Sequence, residues 1–141
     1  MVKGPSPHLT WKELSCKDGT TYPEKYVEDG RVFKVAQMFE AIRLLCGEKP
    51  ITILSAYRTE AHNRKIGGAR NSQHLLGCAL DLKPPKGMTV EHFYSLIRSG
   101  AQAMGIGGMG LYNTFVHVDI RPASKLVVWS GNGAKDSGSR A

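Results

Sequence analysis

Cysteine is scarce in this chain. The 141 residues contain three, Cys16, Cys46 and Cys78, spaced roughly thirty residues apart with no Cys-x-x-Cys pair. An odd, dispersed set excludes a disulfide framework and a zinc knuckle. Cys46 and Cys78 stand among apolar neighbours and read as small core residues, while Cys16 lies in a polar stretch and finds no assignment. Long apolar runs are missing as well. Nothing approaches the roughly 20 residues of a membrane span, so no stable membrane insertion is expected. The opening Met-Val-Lys-Gly-Pro-Ser-Pro-His has no secretory apolar stretch, and the expectation is a soluble protein synthesised in the cytoplasm without a signal peptide. Internal repeats and dividing linkers are absent too, which leaves one domain and a monomer as the expected form.

Acidic residues are in the minority: twelve Asp plus Glu face nineteen Lys plus Arg, for a net charge of +7. Such an excess draws a protein to polyanions, nucleic acid or an anionic cell wall among them. The basic residues are scattered from Lys3 to Arg140 and no nucleic-acid motif accompanies them, so no nucleic-acid partner is expected. With 41% hydrophobic and 22% charged residues, the chain has the composition of a folded domain. Residues 1–8 and 130–141 are rich in Gly, Pro and Ser and read as flexible ends around a domain at 9–129.

Within that domain, Val32, Val35, Phe39 and Ile42 gather on one face of a helix expected from Arg31 to Cys46. Gly47 supplies its left-handed stop and Pro50 bars continuation. Ile51 to Leu54 reads as a strand, and Thr59 as the cap of a short helix over Glu60 to Lys65. Cys78 to Lys83 is a second strand. Thr89 caps a helix carrying Val90, Phe93, Ile97, Ala101 and Met104, and the glycine cluster Gly105 to Gly110 breaks it. Phe115 to Ile120 is a strand and Lys125 to Trp129 a weaker one. Mixed elements without regular β-α-β alternation argue for an α+β fold with a small antiparallel sheet flanked by helices.

Strand alternation places Val116, Val118 and Ile120 on one face and His117 with Asp119 on the other. The second strand repeats this, with Leu80 and Leu82 opposite Asp81. Each polar face, taken alone, is equally that of a solvated strand. Seven residues before Asp81 stands His74, and Gly77 between them permits a sharp bend. Two imidazoles and a carboxylate converging on one sheet face suit Zn²⁺ and leave a fourth position open. Amide hydrolysis is the natural chemistry of such a centre.

The segment Ser-Gln-His-Leu-Leu-Gly-Cys-Ala-Leu-Asp, residues 72–81, resembles the Ser-x-His-x-x-Gly-x-Ala-x-Asp pattern of zinc D-alanyl-D-alanine peptidases. These are grouped with the murein endopeptidases and the hedgehog amino-terminal domain. Phe-Val-His-Val-Asp, residues 115–119, resembles their second metal motif, and Ser-Ala-Tyr-Arg-Thr, residues 55–59, their Ser-x-Tyr-Arg element. Leu-Thr-Trp-Lys-Glu-Leu, residues 9–14, resembles the start of small phage-encoded wall peptidases.

The resemblance implies a hedgehog/D-Ala-D-Ala peptidase-like zinc fold with His74, Asp81 and His117 as ligands. It implies hydrolysis of stem-peptide or cross-link bonds in bacterial peptidoglycan by a phage-type endolysin, which reaches the wall after the membrane is permeabilised. Arg58 would then hold a substrate carbonyl or carboxylate and stabilise the oxyanion, its other reading being a salt bridge. Ser72 would position substrate or else stabilise its own turn. Tyr57, Tyr112 and Asn113 would border the cleft. Several branches of the group it resembles place an acid three residues before the last histidine, where this chain has Thr114. Asp119 is therefore either the general base or a partner that orients a ligand. His62 either lines the cleft or is solvated. A binding module that retains zinc for structure is the alternative function.

Overall fold

The computed structural model describes residues 3–131. Its elements run in the order α1 (Trp11–Leu14), α2 (Glu24–Glu28), α3 (Arg31–Leu45), β1 (Thr52–Ser55), α4 (Glu60–Lys65), a 3₁₀ turn at Gln73–Leu76, β2 (Ala79–Lys83), α5 (Val90–Ser99), β3 (Gly108–Leu111), β4 (Val116–Asp119) and β5 (Val127–Ser130). This is the α+β architecture expected. The expected tail at 130–141 falls largely outside the described residues. At the other end, the Trp11 N–H donates to the Lys3 carbonyl at 2.8 Å, and His8 meets Glu40 at 2.7 Å.

α3 is set by its apolar spacing: Val32, Val35, Ala36, Met38, Phe39 and Ile42 are all buried. It closes as the sequence requires. Gly47 takes φ 78° and donates to Leu44, while the Glu48 N–H reaches back to the Arg43 carbonyl at 2.8 Å. That pair of bonds satisfies carbonyls a helix end otherwise leaves open. α5 is capped by the Thr89 hydroxyl, which accepts the His92 N–H at 3.1 Å, but it stops at Ser99 rather than reaching Met104. Ala101 stays in the core from the turn that follows.

The sheet order is β1-β2-β4-β3-β5. Four strands pair antiparallel, but β5 runs parallel to β3, so the sheet is mixed where a purely antiparallel one was expected. β4 ends with Asp119 opposite Gly108, the first residue of β3. The chain steps round that end and starts β5 at Val127, on the other side of Gly108, so β5 must follow the direction of β3. β3 itself begins inside the expected glycine break and ends just beyond it, at Leu111. Glycine disfavours strands in general, because it offers no side chain to pack. Here the space its side chains would fill belongs to neighbours on the polar face.

The apolar face carries Leu80, Leu82, Val116, Val118 and Met109, all fully buried in one core with Phe39 and Ile42 of α3 and Phe93 and Ile97 of α5. Each such side chain contributes about 1.5–3 kcal/mol of transfer free energy. The load holds β2 and β4 flat against the helices. Cys46 joins this core, whereas Cys78, expected there too, is only half-buried.

Candidate metal centre

The register of the sheet assembles the site. Ser55 of β1 pairs with Asp81, Asp81 with His117, His117 with Gly110, and Gly110 with Trp129, one row across all five strands. Two residues along, on the same face, Ala79, Asp119, Gly108 and Val127 are aligned. Asp81 and His117 thus face each other as direct cross-strand neighbours. Burial decides against solvated strands: His117 is 1% and Asp119 0% exposed.

His74 reaches the row from the 3₁₀ turn. Ser72 caps that turn by accepting the His74 N–H at 3.1 Å, and Gly77 ends it at φ 68°. Gly77 must be glycine, since a Cβ there would lie 2.7 Å from the Tyr26 ring. The Tyr22 hydroxyl donates to the Gly77 carbonyl at 2.7 Å and fixes the bend. The segment after β1 grips His74 from the other side. Its carbonyl accepts the Arg58 N–H at 3.1 Å, and its Nδ1 lies 2.6 Å from the Ala56 carbonyl.

These contacts set the tautomers. A carbonyl only accepts, so Nδ1 of His74 carries a proton, and in the neutral ring Nε2 presents a lone pair. That Nε2 lies 3.0 Å from Asp81 Oδ1. His117 repeats the logic with its nitrogens exchanged. Nε2 donates to Asp119 Oδ2 at 2.7 Å, and Nδ1 faces the same Asp81 oxygen at 3.0 Å. The two facing ring nitrogens and a carboxylate oxygen therefore converge at one point, an arrangement that a cation satisfies, either a proton shared with Asp81 or a metal ion. The donor atoms of the three residues all lie within 4.8 Å of one another. Two imidazoles and one carboxylate are a set that zinc accepts, with one position to spare.

The electrostatics agree. Burial penalises the charge of Asp81, yet the facing His74 and His117 hold its carboxyl well below the usual range. Burial pushes the His74 imidazole down, towards the neutral form a metal requires. For His117, burial is outweighed by the hydrogen bonds to Asp119 and Asp81, and the affinity of the ring for a proton rises.

Around the three donors stands a second set of partners. Arg58 is buried and divides its guanidinium among Ser55 Oγ at 3.0 Å, Asn63 Oδ1 at 3.1 Å and Asp81 Oδ2 at 3.2 Å. Burial lowers its affinity for the proton, partly offset by Asp81. Arg121 grips Asp119 as a fork, Nε to Oδ1 at 2.8 Å and Nη2 to Oδ2 at 2.7 Å. Burial would raise the Asp119 carboxyl, but His117 and Arg121 bring it down to about 2. Trp129 packs against His117 with ring centroids 5.2 Å apart, and its Nε1–H donates to the Tyr112 hydroxyl at 2.8 Å. Gly110 makes this possible, because a Cβ there would fall 2.5 Å from the Trp129 nitrogen.

The remaining expected site residues are placed as follows. Tyr112 is buried and stacks on Phe115 at 4.5 Å, and Ser72 is buried in its capping role. Tyr57 is half-buried in an edge-to-face cluster with Tyr22 and Tyr26. Thr114 and Asn113 are exposed on the β3–β4 turn. Sequence reasoning did not find Arg121, Asn63, Trp129 or the Ala56 carbonyl. Of these only Arg121, two residues beyond Asp119, carried a signal, as a nearby cation for a buried acid.

The two imidazoles and the carboxylate meeting at Asp81 form a group that could hold a metal on an α+β scaffold, with zinc the metal these donors suit. Sequence comparison specifies the kind. The family model described as Peptidase M15 matches residues 7–119, most of the chain, and the chain belongs to that family of zinc peptidases. It is also 44% identical over 43 residues to a protein of Streptomyces albus G named zinc D-Ala-D-Ala carboxypeptidase. That stretch is 30% of this chain and 17% of the relative, so the chain matches only a short part of that protein's length.

Proposed function

We propose that the chain is a zinc-dependent peptidase that hydrolyses stem-peptide or cross-link bonds of bacterial peptidoglycan. The observation that carries this is the convergence of His74 Nε2 and His117 Nδ1 on one oxygen of Asp81, each at 3.0 Å. With His74, Asp81 and His117 as its ligands, zinc when bound supplies a Lewis acid and an activated water at neutral pH. The family membership and the named relative support the substrate class.

The chain's own residues have defined tasks. Ala56 and Asp119 each hold the proton on the far nitrogen of a ligand ring, which keeps the near nitrogen available. Asp119 is fully buried and spends both oxygens on His117 and Arg121, which supports an orienting role over that of a general base. Arg58 neutralises the outer oxygen of Asp81 and stands between that ligand and α4. Its remaining N–H groups give it the means to hold a substrate oxygen as well. The charge of +7 favours approach to an anionic wall.

In its finer form, the proposal is a phage-type endolysin that acts in host lysis once the membrane is permeabilised. Mass spectrometry of fragments released from purified peptidoglycan, with and without a zinc chelator, tests the whole of it. Chelator-sensitive products identify the bond by their new termini. Absence of products on every wall type, from folded and zinc-loaded protein, replaces this reading with the binding module. That module is favoured by one observation, the exposed Thr114 three residues before His117, where the resemblance to several branches of the group leads one to expect an acid.

A further inference from the structure

Cys16 and His62 have no part in the centre just described, yet the fold brings them together. Cys16 is buried and lies just after α1, Asp18 is two residues on in an exposed turn, and His62 is half-buried on α4. A thiol sulfur, a carboxylate oxygen and a ring nitrogen from these three lie within 4.8 Å of one another. We propose that Cys16, Asp18 and His62 form a second metal site, selective for a zinc-like divalent ion and separate from the His74–Asp81–His117 centre. This does not rest on the peptidase activity.

One residue gathers the three ligands. Thr59 donates its N–H to Cys16 Sγ at 3.5 Å and its hydroxyl to Asp18 Oδ2 at 2.7 Å, and its oxygen accepts the His62 N–H at 3.1 Å. The turn carrying Cys16 and Asp18 is itself closed by the Cys16 N–H on the Thr20 carbonyl at 2.9 Å and the Gly19 N–H on the Cys16 carbonyl at 3.0 Å. Asp18 Oδ1 accepts the Thr20 N–H at 2.9 Å, so both carboxylate oxygens are held, Oδ2 by the Thr59 hydroxyl. The backbone of each ligand is therefore held before any ion arrives, and the ordering cost of binding falls mainly on side-chain rotations.

The donor chemistry selects the ion. A thiolate, an imidazole and a carboxylate form a borderline-soft set that zinc and cobalt accept and that magnesium and calcium, which prefer oxygen, do not. At ordinary zinc bond lengths, tetrahedral donors stand about 3.3–3.6 Å apart, so pairs now separated by up to 4.8 Å close by at most about 1.5 Å. Solvent reaches the cluster through its other two members, for Asp18 is exposed and His62 half-buried. The Asp18 carboxyl, held well below its usual range by the Thr20 and Thr59 hydrogen bonds, stays charged throughout the working pH range.

Cobalt titration of the metal-free full chain tests the site, because Co²⁺ bound to a thiolate gives a near-ultraviolet charge-transfer band that imidazole and carboxylate ligands alone do not. Wild type is expected to take up two equivalents, with the sulfur band present. In Cys16→Ser one equivalent and the band are lost, while Cys46→Ala and Cys78→Ala retain both. His62→Gln, a change on a half-buried surface, keeps the test sound if Cys16→Ser does not fold. It should weaken the sulfur-linked equivalent by at least about tenfold, the scale reached even by loss of a ligand's outer partner. Uptake of a single equivalent without a sulfur band overturns the proposal. So does a second equivalent that survives both Cys16→Ser and His62→Gln, or a band that follows Cys46 or Cys78. None of these readouts requires hydrolysis, so failure of the second site and failure of the peptidase reading are separately visible.

Discussion

The Nδ1 of His74 donates to the carbonyl of Ala56 at 2.6 Å, and that single bond fixes which nitrogen of the ring faces Asp81. Ala56 carries no chemistry in its side chain. Its carbonyl is available because β1 ends at Ser55 and the chain then leaves the sheet. Backbone geometry beyond the last ladder pair of an edge strand therefore sets the protonation pattern of a buried site two segments away.

Loss of either histidine should remove the centre. His74→Ala and His117→Ala are each expected to lose the metal equivalent bound at Asp81 and with it peptidoglycan hydrolysis, read by metal analysis and fragment release. Full activity in the His117→Ala variant would defeat the ligand assignment.

Asp119→Asn preserves shape but removes the charge that holds the proton on His117 Nε2. Metal affinity at the main centre should fall about 10–100-fold with the fold intact, measured by competition with a chelating dye. If hydrolysis disappears while affinity is unchanged, Asp119 acts on substrate protons instead.

The same carboxylate predicts a pH dependence. Its folded pKa of about 2 lies below the ordinary aspartate value, so its contribution to stability is present above about pH 4 and is lost as pH falls towards 2. Denaturant midpoints of the metal-free protein should drop over that window, and the drop should be shallower in Asp119→Asn.

Gly108 and Gly110 should tolerate no side chain. A Cβ at Gly108 would lie 2.7 Å from both carboxylate oxygens of Asp119, and one at Gly110 would lie 2.5 Å from Trp129 Nε1. Alanine at either position is expected to cost about 1–3 kcal/mol, as overpacking does, and to weaken metal binding by displacing Asp119 or His117. Thermal unfolding with and without zinc separates the two effects; an unchanged melting temperature would show that the polar face has room to spare.

Removing the metal should destabilise the chain by mass action. A ligand at a hundred times its Kd adds about 2.7 kcal/mol, so chelation is expected to lower the melting temperature by several degrees, reversibly on adding zinc back.

Much of this was legible in the chain itself. α3, α4 and α5 announced themselves through apolar spacing and the caps Thr59 and Thr89, because those signals are local and act within a turn or two. Period-two alternation put His117 and Asp119 on one face of β4 and Asp81 on the polar face of β2, since side chains in a strand have no other choice. β3 was hidden because the space beside Gly108 and Gly110 is filled by Asp119, Arg121 and Trp129, residues distant in sequence. The parallel pairing of β5 was hidden for a related reason: it depends on where β4 ends relative to β3, which alternation does not encode.

By itself, then, the sequence proposed three donor residues and determined the faces of the strands that carry two of them, for these follow from residue type and local periodicity. Only the tertiary structure decided how those donors are used. The strand register set Asp81 opposite His117, the Ala56 carbonyl chose the tautomer of His74, and Arg121 bound Asp119 into place. Each of these is a contact between segments far apart in the chain, formed only when burial of one core brings them within hydrogen-bonding distance.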